Sequence, residues 1–200
     1  MRLKNRYYIF ILFSILFAGC KKSYPPFGPS DFPVKVGDTW TYQRYDSITQ
    51  KTDTIVWSLP TTVNINGKLI YVWTQTSATQ SDTGYWAIND DTITLYAKGI
   101  MYGATDYFIF PVQNGSKWSE TPLGGAPDQY ICSGTNSVTI KNINYNNVFI
   151  LNRMQSGLDA SVIENIDLAK GIGILVYTIH NVNQGQVSIY QLSLINYTLY

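Results

Sequence analysis

The sequence predicts an all-β, mainly antiparallel fold: a single β-sandwich or open-barrel-like body made of two similar halves. Three observations indicate this. Aromatic residues make up 14% of the 200 residues, and charged residues only 14%, a composition that suits half-buried pleated strands. The phrase F-P-V-x-x-G-x-x-W occurs twice. Alternating apolar and polar runs are separated by Asn, Gly, Ser and Asp, which favour turns.

The repeated phrase is expected to form a corner that leads into a strand. It occupies residues 32–40 and again residues 110–118, where it begins the second half. Proline holds the preceding phenylalanine in an extended conformation, and glycine permits a turn that a side chain would hinder. We therefore expect two halves, about residues 32–105 and 106–200. The repeated positions are Phe32, Pro33, Gly37, Trp40, Phe110, Pro111, Gly115 and Trp118.

Turn residues predict further hairpins inside each half. Asn66 and Gly67 lie between two β-rich runs, which is a strong hairpin signal. A corresponding strand–turn–strand is expected in the second half, with its turn at residues 144–147, and residues 89–91 predict another turn in the first half. The tetrapeptide A-K-G-I recurs at residues 97–100 and 169–172. The apolar run from residue 186 to residue 200 predicts a strand paired inside the sheet.

Residues 158–171 fit two structures. Ser161 and Glu164 have the spacing of a capping box, which favours a helix. As a strand, the segment would place Glu164 on the same face as Val162, Ile166 and Leu168, and would bury it or leave it at a margin. We predict a strand.

The first 19 residues predict an export signal. Arg2, Lys4 and Arg6 precede an apolar run over residues 7–17, and this run is shorter than the roughly 20 residues that span a bilayer. Leu16, Ala18, Gly19 and Cys20 follow. This ending resembles the lipobox of bacterial lipoproteins, although Leu16 lies one place earlier than in the commonest form. The resemblance implies cleavage before Cys20 and acylation, by groups such as palmitate, of its thiol and its new amino group.

The residues after Cys20 predict the location. Lys21 and Lys22 replace the aspartate that, by resemblance to lipoprotein sorting, would signal inner-membrane retention. This implies a lipid anchor in the outer membrane of a Gram-negative bacterium. The periplasmic face is favoured, and the cell surface is the alternative. Four of the eight prolines lie within residues 25–33, so we expect residues 20–31 to form a tether and residues 32–200 to form the β-rich domain.

Two motifs resemble a group of small, mostly uncharacterised bacterial lipoproteins. The opening F-P-x-x-x-G-x-x-W-x-Y is matched from Phe32 to Tyr42, and a late A-x-G-I-G segment is matched by residues 169–173. The resemblance covers most of residues 31–200 and implies a β-rich domain. It implies no catalytic residue.

The catalytic and metal-ligating residue types in the sequence predict no enzyme, no cofactor and no metal site. Cys132 and His180 are too few ligands for zinc, and Cys132 fits a small buried hydrophobe better than a nucleophile. Glu120 and Glu164 are the two glutamates available to a glycosidase-like pair. The run Asn89, Asp90 and Asp91 is explained by a turn, and no nucleotide-binding or hydrolase motif occurs. With the signal removed, the net charge is −2, and no basic stripe supports nucleic-acid binding.

Strand aromatics leave a choice between core packing and an exposed ligand platform. We expect mainly core packing. These residues are Trp57, Tyr71, Trp73, Tyr85, Trp86 and Tyr96.

Three functions therefore remain in order of preference. The first is a non-catalytic binding or envelope-assembly module, attached to the membrane through Cys20, whose glycan, lipid or protein partner is unknown. The second is a lipid or lipoprotein carrier or chaperone with an apolar β-groove. The third is a carboxylate-based hydrolase.

Overall fold

A computed structural model describes residues 25–65, 67–96, 105–120, 127–156, 160–183 and 186–200. Across these residues, it confirms the predicted fold class: antiparallel strands form one nearly closed, barrel-like sheet, with a short 3-10 turn at Pro29–Asp31 before it. The strands are β1 (Thr39–Asp46), β2 (Lys51–Ile65), β3 (Lys68–Thr76), β4 (Ser81–Ile88), β5 (Thr92–Tyr96), β6 (Thr105–Ile109), β7 (Lys117–Glu120), β8 (Asp128–Ile140), β9 (Ile143–Ser156), β10 (Ala160–Ala169), β11 (Gly173–Asn183) and β12 (Gln186–Thr198).

The sheet consists of two antiparallel meanders. They are hydrogen-bonded to each other through β1 and β12, and the sheet is left open between its edge strands β6 and β7, which we name the open seam. Strands run in the order β6-β5-β4-β3-β2-β1-β12-β11-β10-β9-β8-β7. Strand β1 pairs with β12, so the first strand of the first half closes on the last strand of the second. Strands β6 and β7 lie at the two edges, and Phe27 bridges this open seam by pairing with Val112.

The two repeated corners share the conformation of their glycine and one backbone hydrogen bond, although the Phe110–Pro111 peptide bond is cis and the Phe32–Pro33 bond is not. Gly37 has a φ of 101° and Gly115 a φ of 85°, in the region that favours glycine. The amide of Gly37 donates to the carbonyl of Leu59 at 2.8 Å, and that of Gly115 donates to the carbonyl of Cys132 at 2.9 Å. Each acceptor lies on the second strand of its half.

The side chains of the corners also correspond. Asp38 Oδ2 accepts the amide of Lys35 at 2.8 Å, and Ser116 Oγ accepts the amide of Gln113 at 3.0 Å. In each corner the side chain accepts the amide of the residue three positions earlier, and this bond closes the turn. The corners then lead into β1 and β7, the first strands of the two halves.

Aromatic side chains fill the interior of the described barrel. Trp40 Nε1 donates to the carbonyl of Ile172 at 2.7 Å, and Tyr42 Oη donates to that of Ile174 at 3.0 Å. These two bonds connect the first strand of the sheet to the β10–β11 turn and β11, so they join the halves across the interior. The largest buried aromatic residues are Phe27, Phe32, Trp40, Tyr42, Trp57, Trp86, Phe108, Phe110, Tyr130 and Phe149.

Two predictions about segment boundaries need correction. Phe27 was expected in the tether, but it is fully buried and packs on Phe110 and Phe149, so the folded body starts before residue 32. The second-half turn expected at residues 144–147 is instead formed by Lys141 and Asn142, which have positive φ values of 47° and 68°. Asn and Lys tolerate this short turn, and residues 144–147 belong to β9.

Several other predictions are confirmed or fall outside the described residues. Residues 160–169 form strand β10 rather than a helix. The turn at residues 89–91 joins β4 to β5, and Gly67 lies in the turn between β2 and β3. Cys20, the signal segment and the first A-K-G-I copy at residues 97–100 lie outside the described residues.

The two ends of the barrel differ in their connections. Both corners, the β2–β3, β4–β5, β8–β9 and β10–β11 turns, and the segment entering from Pro25 all lie at one end, which we name the corner end. The β1–β2 and β3–β4 turns lie at the other, the opposite end. Consecutive antiparallel strands require this alternation.

Candidate functional site

A cleft of about 670 Å³ opens at the corner end. This volume lies within the range of small-molecule sites. One wall is the first corner, including Phe32 and Lys35, and the other is formed by Leu69 and Tyr71 of β3 with Asp90 of the β4–β5 turn. The last two residues of the chain, Leu199 and Tyr200, complete the lining.

Asp38 fixes the floor of the cleft. Its side chain is buried, with 1% exposure, and its Oδ1 accepts the amide of Tyr200 at 2.9 Å. Its Oδ2 accepts the amide of Lys35 at 2.8 Å. The ring of Tyr200 lies against Gly37, where an added Cβ would come within 3.0 Å of the ring. A glycine at the corner therefore allows the C-terminal tyrosine to pack closely beside the cleft.

The cleft lining is chemically mixed. Leu69, Ile88 and Val34 supply apolar surface, while the exposed Lys35 and Asp90 supply charges of opposite sign. Such a lining fits a ligand with an apolar body and polar groups at its margin.

A second polar site lies inside the barrel on β8, β9 and β10. Arg153 Nη2 donates to Asp128 Oδ2 at 2.7 Å, and Arg153 Nη1 donates to Glu164 Oε1. The side chains of Asp128 and Glu164 are 0% and 5% exposed. We name these three residues the interior charge cluster. Since two carboxylates share one guanidinium, the cluster carries an excess of one negative charge if both acids are ionised.

Burial raises the pKa of the Glu164 carboxyl, although the charge of Arg153 opposes the shift. Two buried oxygens, Asp128 Oδ1 and Glu164 Oε2, have no hydrogen-bond partner among the described residues. Tyr130 lies beside them with its ring 5.9 Å from Arg153 Cζ, and burial raises the pKa of its hydroxyl. Binding of a proton by Glu164 would therefore lower the electrostatic cost of the cluster.

The second corner supports this cluster. Trp118 stacks on Tyr130 with ring centroids 4.9 Å apart and planes 7° apart. Tyr130 in turn presents its ring to Arg153. The repeated tryptophan of the second half is thus connected to the charged residues through one aromatic ring.

Cys132 and His180 are not brought together. Cys132 lies on β8 and His180 on β11, with β9 and β10 between them, which separates their strands by about 14 Å at ordinary strand spacing. Tyr177 is level with Cys132 in the register, so His180 is also displaced along the strand. His180 also pairs with Ile163, which neighbours the inward-facing Glu164 and so points outward. Cys132 is 1% exposed and points inward, and burial raises the pKa of its thiol.

The two glutamates reach the same region by different strands. Glu164 joins the interior charge cluster, and Glu120 on β7 lies opposite Asp128 in the register of β7 and β8.

Trp57 and Trp86 are buried, and Trp73 contacts both, with ring centroids 5.3 and 6.2 Å apart. The expected core packing therefore holds for these tryptophans. Tyr71, in contrast, lines the cleft.

Sequence reasoning missed Asp128 and Arg153. A signal was present, because Asp128 is in phase with Tyr130 and Cys132, and these positions of β8 are buried alternately. The hairpin of β8 and β9 was predicted with its turn at residues 144–147, so the register that pairs Arg153 with Tyr130 was not identified. The contribution of Lys35 and Tyr200 to one cleft also depends on the tertiary fold.

Within the described ranges, no group of three or more His, Cys, Asp and Glu side chains is placed to hold a metal ion. Over the same part of the chain, no helix has the length and apolar character needed to cross a bilayer.

Comparisons with known proteins give two structural likenesses. No protein-family model matches the chain, and no curated protein matches it. The chain is similar to the crystal structure of a predicted lipoprotein from Parabacteroides distasonis ATCC 8503, with 9% identity, a TM-score of 0.49, and coverage of 88% of this chain and 100% of the other. It is also similar to that of a predicted exported protein with a YmcC-like fold from Bacteroides fragilis NCTC 9343, with 14% identity, a TM-score of 0.48, and coverage of 87% and 100%.

Proposed function

We propose that this protein is a lipid-anchored, non-catalytic binding module of the cell envelope, and that its ligand binds in the cleft at the corner end. The observation behind this proposal is the contrast between a filled interior and an open cleft. Buried aromatic rings occupy the described interior, whereas the cleft offers about 670 Å³ of space. A binding site outside the core requires no rearrangement of the barrel.

The anchor is Cys20, which receives the acyl chains after cleavage of residues 1–19. We place the protein in the outer membrane, on its periplasmic face, because Lys21 and Lys22 follow the acylated cysteine. Several acyl chains on one residue hold a protein durably at a bilayer. The cleft then lies close to the membrane, since Pro29 and Ser30 line it and follow Cys20 by only a short segment.

The filled interior argues against the carrier function. A carrier needs an apolar hollow for its cargo, but Phe27, Phe108 and Phe149 are each at most 1% exposed inside the barrel. Protein purified from membranes would contain a stoichiometric lipid besides its own acyl chains if it were a carrier. Native mass spectrometry distinguishes the two functions.

One observation favours a hydrolase as a second candidate. Asp128 and Glu164 are two carboxylates held by the same arginine, and the pKa of Glu164 is raised by burial, as expected of a general acid. Both acids are buried, however, and neither lines the cleft. We therefore rank this candidate below binding.

The binding proposal is tested by photo-crosslinking in cells. We would replace Tyr71, inside the cleft, with the photoreactive p-benzoylphenylalanine, and use Tyr45 on β1, which is 39% exposed and remote from the cleft lining, as the matched control. An adduct at position 71 alone supports the cleft, and its mass distinguishes a glycan or lipid from a protein. Equal labelling at both positions, or none at position 71, would refute it.

The anchor is tested separately. A Cys20→Ser variant should lose incorporation of labelled palmitate. Palmitate incorporation that persists in the Cys20→Ser variant would show that Cys20 is not the acylated residue.

A further inference from the structure

The segment that follows the anchor enters the barrel at a fixed point. Phe27 is fully buried and exchanges two backbone hydrogen bonds of 2.8 Å with Val112. Lys170 Nζ donates to the carbonyl of Pro26 at 2.6 Å and forms an ion pair with Asp31 at 2.9 Å. The stretch between Cys20 and Phe27 spans at most about 22 Å in an extended polyproline conformation. An anchor at Cys20 would therefore hold the corner end close to the bilayer.

Lysine side chains are distributed unequally between the two ends of the barrel. The described residues include six lysines, of which five lie at or next to the corner end: Lys35, Lys68, Lys117, Lys141 and Lys170. At the opposite end, the described acidic residues Asp46, Asp53 and Asp82 accompany Lys51. The corner end, where the tether enters, also carries Asp31, Asp38, Asp90 and Asp91, so its lysines do not give it a large net positive charge. The tips of its β2–β3 and β8–β9 hairpins, however, contain lysine and no acidic residue.

The two long hairpins of the corner end carry a similar pair of residues at their tips. In the β2–β3 hairpin, the exposed Lys68 precedes Leu69, which is 53% exposed. In the β8–β9 hairpin, the exposed Lys141 lies two residues before Ile143, which is 56% exposed. Each tip therefore combines an ammonium group with an aliphatic side chain that is not covered. Such a combination suits the interface of a bilayer, where the cation meets lipid headgroups and the aliphatic group enters the acyl boundary.

We propose that the corner end is a membrane-docking surface, which rests through Lys68, Leu69, Lys141 and Ile143 on the anionic headgroups of the bilayer that holds the anchor. This inference rests on the proposed anchor at Cys20, and it adds an orientation that the anchor alone does not require. In this orientation the cleft opens toward the bilayer, because Lys35 and Leu69 belong to its lining. The ligand of the cleft would then be reached at the membrane surface.

The test uses the mature, acylated protein reconstituted in lipid vesicles. Single Leu69→Cys and Ile143→Cys variants are labelled with an environment-sensitive fluorophore, and Ile48→Cys is the matched control, because Ile48 is 75% exposed in the β1–β2 turn at the opposite end. Cys132 is buried and does not compete for the label in the folded protein. Vesicles contain neutral lipid alone or neutral lipid with phosphatidylglycerol, and a headgroup-labelled nitroxide lipid serves as quencher.

Docking predicts strong quenching at positions 69 and 143 in vesicles with phosphatidylglycerol, and little quenching at position 48. A Lys68→Glu, Lys141→Glu double variant should lose most of the quenching at position 69, whereas the matched Lys51→Glu variant should retain it. Circular dichroism of each variant establishes that it is folded. As a second test, the Leu69→Asp substitution in the Ile143→Cys protein should reduce the quenching of the label at position 143.

The possible failures separate the docking surface from the anchor. Protein that carries acyl chains and floats with the vesicles, but shows equal quenching at positions 69 and 48, would overturn the docking surface alone. Quenching at position 69 that is the same with and without phosphatidylglycerol would overturn recognition of anionic lipid. Protein that lacks acyl chains by mass and does not float would instead overturn the proposed anchor.

Discussion

Phe27 and Val112 join the entering segment to the open seam of the barrel, where their backbones exchange two hydrogen bonds of 2.8 Å. The ring of Phe27 stacks on that of Phe110 at 5.9 Å and lies edge-on to that of Phe149 at 5.6 Å. The bridge links the region after the tether with the second corner. Phe27 therefore belongs to the folded core rather than to the linker.

Replacing Phe27 by alanine should strongly destabilise the protein. The side chain is fully buried, and the loss of a buried phenylalanine costs about 3–5 kcal/mol of the free energy of unfolding. Urea denaturation of the Phe27→Ala variant measures this loss. The matched control is Pro25→Ala, an exposed position of the same segment, which should change the free energy by less than about 0.5 kcal/mol. Equal effects would show that Phe27 does not close the seam.

Gly37 and Gly115 should respond differently to alanine although their corners correspond. Both have positive φ, which costs an alanine about 1–2 kcal/mol. At Gly37 an added Cβ would also lie 3.0 Å from the ring of Tyr200, whereas at Gly115 nothing lies within 4 Å. Gly37→Ala should therefore lower the free energy of unfolding more than Gly115→Ala does.

A second substitution identifies the cause of that difference. Tyr200→Ala removes the ring that the new methyl group would meet. In a Tyr200→Ala background, the costs of Gly37→Ala and Gly115→Ala should become similar. A difference that persists in this background would mean that contact with the ring of Tyr200 is not its cause.

The corners and β10 show how far local sequence determines this fold. Proline, glycine and tryptophan at fixed spacing define a corner by backbone conformation and short-range packing, so both corners could be predicted. The strand at β10 was predicted in spite of a capping-box pattern, and the burial of Glu164 on its inner face agrees with the strand alternation. Each of these features depends on fewer than about a dozen consecutive residues.

Features that depend on distant residues were missed for a physical reason. Phe27 is surrounded by prolines, which indicate a linker, and only its pairing with Val112 makes it a core residue. The turn at Lys141 and Asn142 was displaced in the prediction because four asparagines lie within residues 142–147 and each favours a turn. The interior charge cluster combines three strands, and its register depends on bulges in β8 that no local pattern fixes.

The buried thiol gives a simple chemical prediction. Cys132 is 1% exposed and burial raises the pKa of its thiol, so it should not react with a thiol reagent in the folded protein. After unfolding of the mature protein, one equivalent should react, because acylation blocks the thiol of Cys20. Cys132→Ala is the control and should give no reaction in denaturant. Two equivalents from the mature protein would mean that Cys20 is not acylated.

Arg153 should be far more important for stability than Arg44, although both side chains are 18% exposed and both form ion pairs. Arg153→Met leaves Asp128 and Glu164 buried without a counter-charge, which should cost about 3–5 kcal/mol of the free energy of unfolding. The partner of Arg44 is Asp53, whose side chain is 36% exposed, so Arg44→Met should cost about 1 kcal/mol or less.

The triple variant Arg153→Met, Asp128→Leu, Glu164→Leu is the complement of this test. It removes all three charges and should recover most of the stability lost in Arg153→Met, because the penalty comes from unpaired buried charge. Chemical denaturation of the four proteins gives the comparison. A triple variant as unstable as the single one would mean that Arg153 acts through its packing.

Glu164 should make the stability of the protein decrease as the pH rises. Burial raises the pKa of Glu164 in the folded state above its ordinary value of 4.5. Between 4.5 and the raised value, the folded protein binds more protons than the unfolded chain does, so the free energy of unfolding falls as the pH increases. This contribution is fully present below the ordinary value and is lost above the folded one. Glu164→Gln resembles the protonated acid and should remove this part of the pH dependence.

The matched control is Asp46, whose contribution to stability changes with pH in the opposite direction. Asp46 accepts the amides of Ile48 at 2.8 Å and Thr49 at 3.3 Å, and these bonds lower the pKa of its carboxyl. Its contribution is present above the ordinary aspartate pKa and is lost as the pH falls. Denaturation from about pH 2 to pH 8 should thus show Glu164→Gln gaining on the wild type as the pH rises above 4.5, and Asp46→Asn losing relative to it only as the pH rises toward 3.8. If Glu164→Gln keeps the slope of the wild type, Glu164 does not hold the proton, and the excess negative charge of the cluster must be compensated by another group.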